Sequence, residues 1–446
     1  MNRLGVLLSG ALLCVNSFAI TSQFRGVNWA DKRDNFVSDV LVLSGLNLSD
    51  NHESAHATAD RIIGQFQEVL GSNSVRMPVN EPTILRAFDM YSGALEAALE
   101  HGRLVMGYWG PAQPSGPKNM DDWWKMWAKL VEEYGKHPNA YFEIFNEPHM
   151  YSKDELRNLY AEWLKKFPDV PRDHILLDGS GLAWNVPDIA DDPRFEGCLF
   201  AVHEYTFWNM SITTEQGWKN SFKGKVGKYV DRTVCTEWGG AMSPGEKNGV
   251  HYDYMDYNSN PTNYFMAYIR GMSDQLREWE MGSFYWPGLR DGDWYSMTKR
   301  NGEGVNIKLE IPNQSGLDRL KRAWADTVAV VTVDTTAKDT VAKDTVAKDT
   351  VTKDTTVKDT SAVRDTSASD TSLAIGKYNR LDKLNLKNAS TSLQVFSMTG
   401  KFLGTVARQG ASFSESLLQA GFAKGVYLVR PVGHRTAVRV TLAKNR

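Results

Sequence analysis

Short apolar runs recur along the first three quarters of the chain, and between them lie stretches in which apolar residues return every three or four positions. The runs at 24–28, 74–79, 104–109, 141–145, 175–178, 199–205, 233–238 and 283–286 are rich in β-branched and aromatic residues and too short for helices, so they read as buried strands. Of the intervening segments, one is lined by Ile62, Phe66, Val69 and Leu70, and a second by Trp124, Trp127, Val131 and Tyr134. Leu156, Leu159, Tyr160, Trp163 and Phe167 line a third, and Leu317, Leu320 and Trp324 a last. These spacings put each set on one face of a helix, and the aromatic stripes read as helix-to-sheet packing. Eight strands alternating with helices over about 300 residues predict an α/β protein with a (β/α)8 TIM barrel. A doubly wound open sheet is the alternative, but it would carry a Gly-rich phosphate loop after an early strand, and Gly239-Gly240 follows Glu-Trp instead.

Past residue 330 the pattern changes. The triplet Lys-Asp-Thr recurs with a period of five from Lys338 to Thr360, and its apolar neighbours are few and small, so residues 331–375 read as a disordered low-complexity linker. Its dense threonine permits O-glycosylation. Residues 376–446 return to alternation, with Leu393 to Lys401, Gly425 to Arg430 and Ala437 to Leu442 reading as strands of a small β-sandwich-like domain with one wet face. At the other end, Arg3, the apolar stretch from Leu4 to Val15 and the small-x-small triplet Ser17-Phe18-Ala19 read as a secretory signal over 1–19, too short for a membrane span. That leaves 20–330 for the barrel and no transmembrane segment in the mature chain.

The net charge of −2 gives no argument for nucleic acid, but it is unevenly spread. The segment from Gly376 to Arg446 holds 12 Lys and Arg against Asp382 and Glu415, while the first 333 residues carry a net −10. Cys14 follows Leu13, a poor lipidation context, and leaves with the signal. Cys198 and Cys235 then remain; strand parity sets Cys235 on the face of Glu237 and Cys198 on the opposite one, which argues against a disulfide.

In a barrel, residues at the carboxyl ends of the strands meet around one mouth. Those positions hold Arg76, Trp109, Asn146, Glu147, His203, Tyr205, Glu237 and Trp286. A carboxylate at the tip of a hydrophobic strand is poorly placed for stability and well placed for chemistry. Glu147 and Glu237 are two of them, three strands apart.

Asn146-Glu147-Pro148, His203-x-Tyr205, Thr236-Glu237-Trp238-Gly239 and Phe284-Tyr285-Trp286 together resemble the signature positions of glycoside hydrolase family 5, which contains many cellulases. The resemblance covers roughly residues 20 to 328. It implies a retaining hydrolase of β-linked polysaccharide, cellulose-type glucan cut within the chain first and mannan, xylan or xyloglucan as alternatives. No His/Asp/Glu cluster shows metal-ligand spacing, so neither metal nor cofactor is expected. By resemblance Glu147 is the general acid/base and Glu237 the nucleophile. Arg76 and Tyr205 would keep Glu237 ionised, His203 would tune Glu147, Asn146 would bond the sugar 2-hydroxyl, and Trp286 would form an apolar floor. One position departs: the family's His near the end of strand three is replaced by Tyr108 or Trp109. The rival class is a non-catalytic carbohydrate-binding protein on a barrel frame, which would have lost one carboxylate.

Other acidic and aromatic residues need placing. Glu143 shares the parity of Glu147 two layers lower and reads as a buried partner of Arg76. Glu204 should face away from the barrel axis, and Glu81 should be solvated in a loop. Some of Trp29, Trp184, Trp208, Trp238 and Trp294 are expected to form sugar platforms, and His149 and Asp291 are possible subsite residues. The C-terminal module resembles sorting domains of the type IX secretion route, on Gly400-Lys401 and Gly425-Val426-Tyr427-Leu428-Val429-Arg430. This implies secretion machinery, an acidic cell surface or a scaffold as partner, and an exported or surface-attached enzyme.

Overall fold

The computed structural model describes residues 21–33, 37–110, 116–207 and 209–324, together with 392–396, 402–407, 416–417, 419–422, 425–431 and 438–442. The signal and linker expectations, Trp208 and Gly400 lie outside these residues. The chain divides into two compact units, 1–335 and 336–446.

The first unit is a closed barrel of eight parallel strands: β1 Arg25–Trp29, β2 Ser74–Val79, β3 Arg103–Tyr108, β4 Ala140–Glu143, β5 Ile175–Asp178, β6 Leu199–Glu204, β7 Thr233–Trp238 and β8 Ser283–Leu289. Each strand pairs with its sequence neighbours and β8 closes on β1. All eight expected strands are present, so the open-sheet alternative is excluded. The helices wrap the outside, among them α1 His52–Gln65, α2 Glu81–Arg86, α3 Phe88–His101, α4 Met120–Tyr134 and α5 Lys153–Lys166. Local sequence starts several of them. Asn51 and Ser152 form capping boxes with Ser54 and Glu155, and Asn80 and Asn119 cap α2 and α4.

The core has two apolar layers. Inside the barrel floor lie Phe24, Val105, Tyr141, Leu176, Leu199, Ala201, Val234 and Phe284. Outside, between strands and helices, lies the larger layer, which includes Trp123, Trp127 and Trp163. Here α4 is rotated from the expected face. Trp123, Met126 and Leu130 are buried, whereas Trp124 and Val131 are only partly covered. The stripe continues one residue earlier than the chosen residues because Trp123 packs beside Phe145 and Tyr108.

A second correction concerns β7. Val202 pairs with Cys235 but His203 pairs with Glu237, so the register shifts by one residue between them. Such a bulge puts two consecutive residues on one side of a strand. Cys235 therefore lies in the outer layer with Cys198, not on the face of Glu237, and both cysteines are free and buried.

In the second unit Ser392–Phe396, Phe402–Ala407, Gly425–Pro431 and Val438–Leu442 form one four-stranded antiparallel sheet. Leu393 and Val395 are buried and their neighbours Ser392, Gln394 and Phe396 are not, which is the expected period-two alternation. No described helix is long and apolar enough to cross a membrane.

Candidate active site

The barrel interior changes character on rising from its apolar floor. Arg76 on β2 points inward and is 1% exposed. Its Nε donates to Glu143 of β4, its Nη1 to Asn28 Oδ1 (2.9 Å) and Glu237 Oε1 (2.6 Å), and its Nη2 to Asn146 Oδ1 (2.7 Å). Four strands are thus tied to one guanidinium, whose fork geometry suits several acceptors at once. Burial works against the Arg76 charge, but Glu143 and Glu237 more than offset it and raise its pKa, so it stays a cation. Gly107 on β3 makes room for this pair: a β-carbon there would sit 2.9 Å from Glu143 Oε2 and 3.3 Å from Arg76 Nε.

Above this layer stand the two strand-tip carboxylates. Glu237 is buried and accepts from Arg76 at one oxygen and from the Tyr205 hydroxyl (2.7 Å) at the other. Burial raises its pKa, while the Arg76 charge and the Tyr205 hydrogen bond pull it back towards the ionised form. Glu147 follows β4 after a short extended stretch, with its backbone in the left-handed region at φ 52°. A non-glycine residue there is uncommon and signals a conformation held by its surroundings. The Glu147 amide donates to Asp178 Oδ2 (2.9 Å), and the Glu147 carbonyl accepts from the His149 amide (2.7 Å).

His203 bridges the pair. Its Nδ1 lies 2.9 Å from Glu147 Oε1 and its Nε2 3.0 Å from Thr236 Oγ1. Burial pushes its pKa down to about 4, against the pull of Glu237, so the ring is neutral at neutral pH. A neutral ring has one N–H and one acceptor, so it can donate to ionised Glu147 or accept from the protonated acid. An oxygen of Glu147, a nitrogen of His203 and an oxygen of Glu237 all lie within 4.8 Å of one another. The bulge at Thr236 is what aims both the Thr236 hydroxyl and the Glu237 carboxylate into the barrel.

The mouth has an aromatic wall. Trp109, Tyr205 and Trp286 cluster with Ala30, and the Trp109 and Trp286 rings are 5.1 Å apart. Trp109, not Tyr108, therefore occupies the departing position. Tyr108 points outward and donates to Glu81 Oε1 (2.9 Å). That corrects the expectation for Glu81, which is the first residue of α2 and buried, because Tyr108 and the helix cover it.

All eight expected site residues thus converge on this mouth. Glu143 partners Arg76 as read from its parity, and Glu204 faces outward to Lys225 (2.9 Å). Trp29 and Trp238 are core residues, and Trp184 and Trp294 are half-buried. Asp291 is held by Arg300 (2.8 Å), and His149 Nδ1 lies 3.0 Å from the Glu147 carbonyl oxygen. Sequence reading missed Asn28, which carries part of Arg76, and Asp178. Both close a strand with a polar residue, the only signal available for them. It also missed Phe207, a 41% exposed ring stacked on Tyr205 at 4.7 Å with Lys247 Nζ 4.1 Å from its centroid. Two triads, Glu143–Asp178–His203 and Glu147–His203–Glu237, come within metal-ligating distance, which sequence spacing did not reveal. Arg76 already supplies a positive charge to both.

An eight-stranded barrel with two carboxylates facing each other at its carboxyl-end mouth, one beside a cation and one beside a neutral imidazole, defines a glycoside hydrolase. In agreement, the Cellulase model (glycosyl hydrolase family 5) matches residues 96–283 of the chain. No curated protein sequence matches the chain. Similar solved structures include an endocellulase from Pyrococcus horikoshii, with 15% identity, 68% of this chain and 92% of that chain covered, and a TM-score of 0.47. An endo-beta-1,4-glucanase from Xanthomonas axonopodis pv. citri shows 15% identity, covers 67% and 98%, and has a TM-score of 0.45. The catalytic domain of a Thermobifida fusca endoglucanase shows 15% identity, covers 60% and 87%, and has a TM-score of 0.40.

Proposed function

We propose that the chain is an exported endo-β-1,4-glucanase that cleaves with retention, Glu237 acting as nucleophile and Glu147 as acid/base. The carrying observation is that an oxygen of Glu147 and an oxygen of Glu237 lie within 4.8 Å of each other. Double displacement uses carboxyl groups about 5–5.5 Å apart, whereas direct attack by water needs about 6.5–9.5 Å. Arg76 and Tyr205 favour charge on Glu237 as it attacks and leaves the anomeric carbon. Glu147, beside the neutral imidazole of His203, can carry a proton to the glycosidic oxygen and later take one from water. Arg76 occupies the Asn146 Oδ1 atom, which turns the Asn146 amide N–H2 towards a sugar hydroxyl. Trp286 and Trp109 offer apolar faces to the sugar ring. The family model supports a glucan as the polymer.

The test is incubation of the full chain with purified glucan, mannan, xylan and xyloglucan, reading product sizes and the anomeric configuration of the first product. Mixed oligosaccharides of retained configuration from glucan are expected. Monosaccharide alone, or action only on another polymer, would replace the substrate assignment. Glu147→Ala and Glu237→Ala should each slow hydrolysis by about 10²–10⁴-fold. Near-normal turnover in either removes its role.

For the C-terminal unit we propose sorting or surface attachment, supported by its excess of Lys and Arg on an antiparallel sheet. Export of a chain truncated at residue 375 checks it: retention in the cell supports sorting, release in place of surface attachment supports anchoring, and unchanged export and location refute both.

A further inference from the structure

Asp178 closes β5 beneath the Glu147 loop and is fully buried. Its Oδ2 accepts the Glu147 amide at 2.9 Å, and its carbonyl accepts the Tyr160 hydroxyl at 3.1 Å. Glu143, equally buried, is its neighbour across the β4–β5 pair, within side-chain hydrogen-bonding reach. Taking the proposed role of Glu147 as given, we propose that Asp178 is a positioning residue for the acid/base: it is kept as the neutral acid, donates its O–H hydrogen bond to Glu143, accepts one from the Glu147 amide, and so holds Glu147 in its left-handed backbone conformation.

Three observations carry this. The first is the balance of charge. Arg76 directs its bonds to Glu143, Glu237, Asn28 and Asn146 and none to Asp178. His203 is near but neutral, and Lys225 bonds Glu204 on the far side of β6. One guanidinium cannot compensate three buried carboxylates, and an uncompensated buried charge takes a proton. The second is the balance of donors. Asp178 Oδ1 and Glu143 Oε1 are both buried and neither meets a donor among the described residues. A single proton between the two side chains satisfies both, and buried polar atoms are as a rule satisfied. Burial raises the Asp178 pKa, and the Glu143 charge raises it further. The third is strain. Glu147 has φ 52°, and such a conformation persists only where the surroundings over-determine it. The bond from its amide to Asp178 is one fixed end, and the bond from the His149 amide to its carbonyl is the other.

Asparagine is the discriminating replacement, because its amide can donate to Glu143 while its carbonyl accepts from Glu147. An asparagine equals a neutral aspartic acid there, but would remove a charge from an ionised one. The experiment compares the full-length wild type, Asp178→Asn, Asp178→Ala and Glu147→Ala. It measures kcat, KM and the pH profile on the best polysaccharide substrate, with thermal unfolding as a folding control. Asp178→Ala should lose about 10²-fold in kcat, the scale of a misplaced catalytic group, with KM little changed. Asp178→Asn should restore most of that loss and keep both limbs of the pH profile in place. Infrared difference spectra should show a neutral carboxylic acid band in the wild type that Asp178→Asn lacks. Wild-type kcat in folded Asp178→Ala, displaced limbs in Asp178→Asn, or absence of that band would each overturn the proposal. Should the alanine variant fail to fold, the asparagine profile and the infrared band still decide. Inactive Glu147→Ala beside wild-type-like Asp178→Ala refutes this inference alone, whereas active Glu147→Ala refutes the acid/base assignment beneath it.

Discussion

Replacing Arg76 with methionine is the most informative perturbation of the barrel interior. Methionine keeps the unbranched apolar stem of the side chain and removes the guanidinium, so two buried carboxylates, Glu143 and Glu237, lose their partner together. Breaking a buried ion pair by deleting one member costs about 3–5 kcal/mol, because the remaining charge is left uncompensated. At about 2–4 °C per kcal/mol, the melting temperature should fall by roughly 10 °C. The sign of the pH dependence follows from Glu237, whose pKa burial raises and Arg76 lowers. Without Arg76 the folded-state value rises further above the unfolded one. The folded protein then binds protons more readily than the unfolded chain, so the stability deficit grows as pH rises from the unfolded value through the folded one. The deficit should therefore be larger at about pH 8 than at about pH 5. Catalysis should respond in the same direction: the acid limb of kcat/KM should move to higher pH by about one unit, equivalent to about 1.4 kcal/mol of lost charge stabilisation. Calorimetric melts at the two pH values and a pH–rate profile measure both effects, and Arg76→Lys separates loss of charge from loss of the fork. An acid limb that stays in place, with a melting temperature within about 2 °C of wild type, would refute the reasoning that Arg76 is the compensating charge of the site.

Tyr205→Phe removes one hydrogen bond to Glu237 without touching Arg76, so it should also move the acid limb upward, by less than Arg76→Met does, and lower kcat at acidic pH most; an unmoved limb would contradict it. His203 gives a stability signature. Its folded-state pKa of about 4 lies below the ordinary 6.5, so as pH falls through that window the unfolded chain takes up a proton that the folded one refuses. Stability should drop by about 3 kcal/mol across it, and His203→Asn should flatten this part of the curve in pH-dependent chemical denaturation. Gly93→Ala tests packing away from the site. The added β-carbon would sit 2.2 Å from the His52 carbonyl oxygen where α3 meets α1, so the variant should lose about 1–3 kcal/mol while turnover per folded molecule stays the same.

The barrel was legible because each strand is a short apolar run and each wrapping helix shows an apolar face, patterns that burial on both sides of a parallel sheet imposes. The eight mouth residues were legible for a related reason. Chain direction in a parallel barrel puts every strand's carboxyl end at one mouth, so finding the polar residue that closes a strand is enough to place it. Parity arguments went only as far as the strands stayed regular. They placed Glu143 against Arg76 and turned Glu204 away from the barrel axis, but they failed at β7, where one inserted residue turns Cys235 outward and aims Thr236 and Glu237 inward together. Glu81 and α4 show the same limit at the next level. Whether Glu81 is wet depends on Tyr108 reaching it from another strand, and whether α4 buries Trp123 or Trp124 depends on Phe145 and Tyr108 beside it.

The strand-tip carboxylates, the cation, and the imidazole and aromatic residues around them were determined by the sequence alone, since they follow from local periodicity and chain direction. Their chemical states were decided by the tertiary structure. A buried charge responds to whatever donors and counter-charges surround it from other strands. From β2 Arg76 reaches three other strands, His203 loses its proton through burial, and Asp178 lies under the Glu147 amide, and these contacts join residues between 31 and 161 positions apart. No pattern along the chain encodes such distances.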